Sequence, residues 1–250
     1  MLDIHQFGYG SDNYGVLLHD EASGETAMVD AGDASRALAA LAETGWQLTQ
    51  IWITHHHGDH TAGLGDIIAS TGAKVYGPAG ISGVSDVLDD GDEFTFAGRP
   101  VSVLATPGHT LDMLNFHIAS EQLAFTGDTL FAMGCGRLFE GNADMMWASL
   151  SKLMALDDET IIYCAHEYTA ANAAFAISVD PHNEALHRRA EAVTDLRAAG
   201  KPTVPTIMAL EKATNPFLRA SDPAIRAHLG MAADSDAAVF AEIRRRKDSF

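Results

Sequence analysis

The sequence predicts an α/β fold built on mixed sheets and followed by a helical region. Three observations predict it. Short apolar and β-branched runs alternate with amphipathic stretches, some runs lie too close together to enclose a crossover helix, and strand signals fade after Cys164. With 47% hydrophobic and 20% charged residues over 250 positions, the chain has ample core, is not disordered, and suits one or two domains.

In order, the strand-like runs are 14–19, 26–29, 51–54, 74–76, 100–105, 114–118, 122–126 and 160–164. A helix is expected over 34–44, with Asp33 as its N-cap and Gly45 as its stop. A second should follow Asp59 and a third should span 143–156. Runs 114–118 and 122–126 are separated by three residues, so they form a hairpin and not a parallel pair. From Glu167 onward helical spacing takes over, as in Leu186, Ala190, Val193 and Leu196. Pro202 and Pro205 interrupt that region, and Ser235 is placed to cap a last helix. The domain boundary therefore falls between 166 and 167, giving domains 1–166 and 167–250.

A net charge of −18 excludes a general nucleic-acid binder, which needs a basic footprint. No run reaches the roughly 20 apolar residues of a membrane span, and Met1-Leu2-Asp3-Ile4-His5 carries no leader signal. Two cysteines, Cys135 and Cys164, cannot form a disulfide framework, so a cytoplasmic protein is expected. Charge is uneven along the chain. The final fifty residues hold 8 of the 16 Lys and Arg but 6 of the 34 acids. Read by composition alone, Arg244-Arg245-Arg246-Lys247 is a solvated helix end.

The strongest signal is Ile51-Trp52-Ile53-Thr54-His55-His56-His57-Gly58-Asp59-His60. An apolar strand runs directly into four histidines and an aspartate. In extended chain His55 and His57 point one way and His56 the other, while Gly58 permits the turn into a helix carrying Asp59 and His60. Imidazole with carboxylate suits zinc, iron or manganese, and the lack of thiolates argues against a structural Cys-rich site. His109, Asp128 and His166 each lie just past another apolar run, where strand ends converge. Seven ligands are too many for one tetrahedral ion with an open position, whereas two ions sharing one carboxylate fit the count.

The segment 54–60 resembles the T-H-x-H-x-D-H motif of the metallo-β-lactamase superfamily, and Asp30, His109, Asp128 and His166 follow in that family's order. The resemblance implies an αβ/βα sandwich with two mixed sheets and a dinuclear site. It assigns His55, His57 and His109 to one ion, Asp59, His60 and His166 to the other, and Asp128 as the bridge. Asp30 becomes a residue that orients a ligating histidine.

Further motifs are similar to glyoxalase II, the hydroxyacylglutathione hydrolase family. These are Gly134-Cys135-Gly136-Arg137-Leu138-Phe139-Glu140-Gly141, Ala165-His166-Glu167-Tyr168-Thr169, Pro202-Thr203-Val204-Pro205-Thr206, Asn215-Pro216-Phe217-Leu218-Arg219 and Arg244-Arg245-Arg246-Lys247-Asp248. That resemblance implies a monomer that hydrolyses S-D-lactoylglutathione, with neither nucleic acid nor membrane as partner. It also implies two divalent ions per chain, zinc first with iron or manganese as the other candidates. Asp59 and Asp128 are the expected catalytic carboxylates, Asp59 beside the bridging hydroxide. Arg137, Phe139, Tyr168, Arg244 and Lys247 are the implied glutathione contacts, with Arg244 and Lys247 on one helical face. Phe139 stands where some relatives have Tyr, which removes a side-chain hydroxyl. Cys135 has no His or Asn partner and is not expected to be a nucleophile. The rival readings are a one-iron glutathione persulfide dioxygenase or another hydrolase of the fold, and a non-catalytic metal-binding accessory protein.

Overall fold

A computed structural model describes residues 1–250, which divide into two compact units. The first comprises Met1–Ala105 with Asp112–Gly127; the second comprises Thr106–Leu111 with Asp128–Phe250.

In the first unit, strands Asp3–Tyr9 (β1), Asn13–Asp20 (β2), Glu25–Val29 (β3), Gln50–Trp52 (β4), Lys74–Gly77 (β5) and Asp86–Val87 (β6) form one sheet in chain order. Its first three strands are antiparallel and the rest join in parallel, so the sheet is mixed as expected. Helices Ala34–Thr44 (α1), Gly58–Thr61 (α2) and Leu64–Thr71 (α3) connect the parallel strands. The caps of α1 are those read from sequence. Asp33 accepts from the Arg36 amide at 3.0 Å, and Gly45 ends the helix at φ 75°. Strands Glu93–Phe96 (β7), Arg99–Ala105 (β8), Leu114–Ile118 (β9) and Leu123–Gly127 (β10) make an antiparallel meander, the last pair being the expected hairpin.

Alternation explains the layering. One face of the first sheet buries Leu17, Met28, Ile51 and Ile53 against Ala37, Leu41, Leu64 and Ile67 of α1 and α3. From β4, fully buried Trp52 meets Phe94 and Phe96 of β7, Phe116 of β9 and Phe125 of β10 at 5.3–6.0 Å between ring centroids. One aromatic anchor thus joins the two sheets of this unit.

The second unit holds a ribbon of Leu130–Phe131 (β11) and Gly134–Cys135 (β12), helix Ala143–Met154 (α4) and strand Ile161–Cys164 (β13). Helices Thr169–Val179 (α5), Glu184–Ala198 (α6), Met208–Thr214 (α7), Pro223–Leu229 (α8) and Asp236–Asp248 (α9) follow. The expected Ser235 cap is present, accepting from the Ala238 amide at 3.3 Å. Phe175 of α5, Phe217 and Phe240 of α9 form a buried aromatic chain, with Trp147 of α4 against Phe240.

Two details differ from the sequence reading. Strands β1, β6 and β7 and the β11–β12 ribbon lie outside the expected strand runs. A two-residue strand, Thr206–Ile207 (β14), pairs with β13 inside the region expected to be wholly helical. Strands this short show no alternation, and only their partners make them strands.

Candidate metal centre

The first unit carries four candidate donors around one carboxylate. Asp30 follows β3 at φ 59°, a backbone state uncommon for a side chain. Its carboxylate accepts from the Thr54 amide at 2.8 Å and from the Thr54 hydroxyl at 3.0 Å. Asp30 Oδ2 also holds His60 Nδ1 at 2.7 Å. Because the Thr54 hydroxyl donates to Asp30, it must accept from His55 Nδ1, 3.0 Å away. One buried carboxylate therefore assigns the tautomer of two histidines, leaving Nε2 of His55 and of His60 as lone-pair donors. The turn fits only glycine at Gly32, where a Cβ would stand 1.8 Å from the Asp59 carbonyl.

His55 Nε2 lies 3.0 Å from His57 Nδ1, and His60 Nε2 lies 3.5 Å from Asp59 Oδ2. His55 and His60 are buried, His57 is half-buried and Asp59 is exposed. Two residues without a sequence signal hold Asp59: Asn13 donates to its Oδ2 at 3.0 Å and the Tyr9 hydroxyl donates to its carbonyl at 2.8 Å. His56 points away, as the alternation required, and pairs with Asp112 at 3.0 Å on the surface.

The second unit carries the other three. His109 Nδ1 donates to the Arg137 carbonyl at 2.8 Å, so its Nε2 is the lone-pair nitrogen. Asp128 Oδ2 stands 3.3 Å from His109 Nε2 and 3.3 Å from His166 Nε2, with all three residues buried. A carboxylate oxygen and a neutral imidazole nitrogen are both acceptors, and a shared cation makes such an approach favourable. The donor chemistry of these His and Asp groups fits divalent metal binding. Ring packing frames these side chains. Tyr168 stacks on His166 at 4.7 Å, and Phe139 meets His109 edge-on at 5.2 Å.

The expected glutathione contacts separate by exposure. Arg137 has a 59% exposed side chain, Phe139 is 61% exposed and Tyr168 is 38% exposed. Arg244 is only 6% exposed. It donates to the Cys135 carbonyl at 3.0 Å and to Asp248 Oδ1 at 2.8 and 3.1 Å, and stacks over Phe217. Lys247 is half-buried, donates to the Ala171 carbonyl at 3.1 Å, and has its pKa pushed down by desolvation and then by Arg244. The basic run is therefore not uniformly a solvated helix end. Burial pushes the thiols of Cys135 and Cys164 up to about 11 and about 12, so neither is a thiolate at neutral pH.

Comparison with known proteins agrees with this chemistry. Residues 13–85 and 78–166 match the family model described as metallo-beta-lactamase superfamily, and residues 167–250 match the one described as hydroxyacylglutathione hydrolase C-terminus. A hydroxyacylglutathione hydrolase of Rhizobium meliloti (strain 1021) is 55% identical over 253 residues, covering 100% of this chain and 99% of the relative. Among solved structures, ETHE1 from Myxococcus xanthus superposes with a TM-score of 0.71 at 28% identity, covering 97% of this chain and 90% of that one. TTHA1623 in a di-iron-bound form superposes with a TM-score of 0.62 at 21% identity, covering 86% of this chain and 100% of that one.

Fold and donor set thus define a metallo-β-lactamase-superfamily protein, an αβ/βα sandwich with a C-terminal helical region. Its His/Asp clusters suggest dinuclear metal binding. Within that superfamily, the chain belongs to the hydroxyacylglutathione hydrolase family.

Proposed function

We propose that the chain hydrolyses S-D-lactoylglutathione to D-lactate and glutathione, the second step of methylglyoxal detoxification. The observation that carries the reading is the match of residues 167–250 to the hydroxyacylglutathione hydrolase C-terminus on a chain with the full donor set. The same C-terminal match favours this reading over a persulfide dioxygenase.

We assign His55, His57 and His109 to one ion, Asp59, His60 and His166 to the second, and Asp128 to both. When bound, such ions supply acidity that generates hydroxide near neutral pH and positive charge for the oxyanion. The chain's own part is orientation. Asp30 holds His60 directly and His55 through Thr54, and Asn13 donates to the Asp59 carboxylate and so fixes its direction. No general acid is needed at the leaving group, because a thiol of pKa about 8.5 departs readily as thiolate.

Residues 1–166 are proposed to carry the chemistry and 167–250, with Arg137 and Phe139, the glutathione moiety. Arg137 and Tyr168 offer exposed groups, Lys247 a half-buried cation, and Phe139 packing or its backbone. Arg244 supports this surface through Asp248, whose Oδ1 is also 3.6 Å from Arg137 Nε. Zinc is the first candidate metal, and a cytoplasmic monomer without nucleic-acid or membrane partners is the proposed context. No helix is long and apolar enough to cross a membrane.

The test is turnover of S-D-lactoylglutathione by zinc-loaded protein, with glutathione persulfide and a small thioester lacking the tripeptide as comparisons. Loss of the lactoyl thioester with release of free thiol is the expected outcome. Oxygen uptake on the persulfide with no thioester cleavage would overturn the reading, and metal binding with neither activity would favour the accessory-protein alternative.

A further inference from the structure

Between Asp128 and Arg137 the second unit makes its ribbon, β11 against β12, joined by Ala132 and Met133. Two strands of two residues have no stability of their own. Yet the two chain segments that leave its open end carry site groups: the Asp128 carboxylate on one, and on the other the Arg137 carbonyl that orients His109.

Helices of the same unit hold the ribbon by its backbone. Asn172 of α5 donates to the Ala132 carbonyl at 3.1 Å. Asn215, at the end of α7, donates to the carbonyls of Phe131 and Gly134 at 3.2 and 2.9 Å. Glu211 of α7 accepts from the Met133 amide at 2.9 Å, and Arg244 of α9 donates to the Cys135 carbonyl. Each of the five residues 131–135 thus has a backbone group bound by a distant side chain. Glu211 is fully buried, and its charge is met by Arg189 and by the Thr206 hydroxyl at 2.7 Å.

The ribbon's own residues fit this clamp. Met133 sits at φ 58°, a costly state that persists only where the surroundings over-determine it. Its side chain is buried with Ala173, Ala176, Leu186 and Val193. A Cβ at Gly134 would lie 2.3 Å from Asn172 Nδ2, and one at Gly136 would lie 1.9 Å from the Asp128 carbonyl. Hydrogen bonds to backbone specify position more tightly than sliding apolar contact, which is what a ligand-bearing segment needs.

We propose that Glu211, Asn215 and Asn172 are positioning residues for the metal ligands Asp128 and His109, so that the C-terminal helices tune metal affinity as well as holding substrate. This rests on the reading of Asp128 and His109 as ligands. The test uses the full chain and measures zinc affinity by chelator competition, the cobalt-substituted absorption spectrum, and the Tm of metal-free protein. The variants are Asn215→Ala, Asn172→Ala and Glu211→Gln, with Asp128→Ala as the ligand reference. Leu150→Ala, a buried truncation in α4, is the stability control. Asn215→Ala and Asn172→Ala should each lower zinc affinity by at least about tenfold and shift the cobalt spectrum, as residues behind metal ligands do. Leu150→Ala should lower Tm yet leave zinc affinity within about twofold. Asn172→Ala removes a single ribbon bond and keeps the test alive if the other variants fail to fold. Wild-type zinc affinity in both Asn variants, with Asp128→Ala impaired, would overturn the positioning role alone. Wild-type affinity in Asp128→Ala would overturn the ligand reading and this proposal with it.

Discussion

Asp30 Oδ2 holds His60 Nδ1 at 2.7 Å while Asp30 Oδ1 receives the Thr54 amide at 2.8 Å and the Thr54 hydroxyl that meets His55, so one buried carboxylate orients two histidines of the motif. Asp30→Asn should therefore weaken metal binding without altering any ligand. The expected loss in zinc affinity is about 10–100-fold, the usual range for groups behind a ligating histidine. Chelator competition checks it. Unchanged affinity would mean that Asp30 is only a turn residue.

Asp128 is placed to serve two histidines at equal distance. Asp128→Ala should lower metal content below two ions per chain and reduce turnover with it. Elemental analysis of dialysed protein decides the point. Two retained ions with full activity would exclude a bridging role.

Cys135 is buried against Arg244 with its thiol held neutral. Cys135→Ala should hydrolyse the thioester nearly as fast as wild type, and the pH–rate profile should show no limb that disappears with the variant. A metal-replete, folded variant without turnover would require covalent catalysis.

Burial pushes the Cys164 thiol up to about 12 in the folded chain, against about 8.5 for an unfolded cysteine. For a thiol raised on folding, the stabilising contribution is complete below the unfolded value and is lost as pH rises toward the folded one. Wild type should lose more stability than Cys164→Ala between about pH 8.5 and 11, read by urea unfolding. Parallel losses would contradict the burial argument.

Arg244 and Lys247 should fail differently. Arg244→Ala leaves the Cys135 carbonyl without its donor and should lower Tm, and Arg244→Lys should not restore it because two guanidinium nitrogens reach Asp248 Oδ1. Lys247→Ala should instead raise KM for S-lactoylglutathione several-fold, up to about tenfold, with kcat and Tm nearly kept. Since burial lowers the Lys247 pKa, wild-type KM should begin to rise below the ordinary lysine range near 10.4, and this limb should vanish in the variant. Equal Tm losses in both would mean that the pair is purely structural.

Much of this protein was legible in residue order because local chemistry dictates it. Asp33 and Gly45 bound α1 through their own backbone preferences, and period-two runs make mixed strands wherever one face is buried. Histidines and aspartates at strand ends read as metal donors because few other roles use that spacing. Tertiary structure alone decided what holds those donors. Tyr9 and Asn13 reach Asp59 across nearly fifty residues, Asn215 reaches Gly134 across eighty-one, and neither contact leaves a local pattern. The same is true of Arg244. As one of four consecutive cations it looks solvated, yet packing on Phe217 and the Cys135 carbonyl buries it while Arg245 stays out with Glu242. Residue type sets what a side chain can bind, but burial and partner are set by segments distant in sequence, and only their packing brings those to the same place.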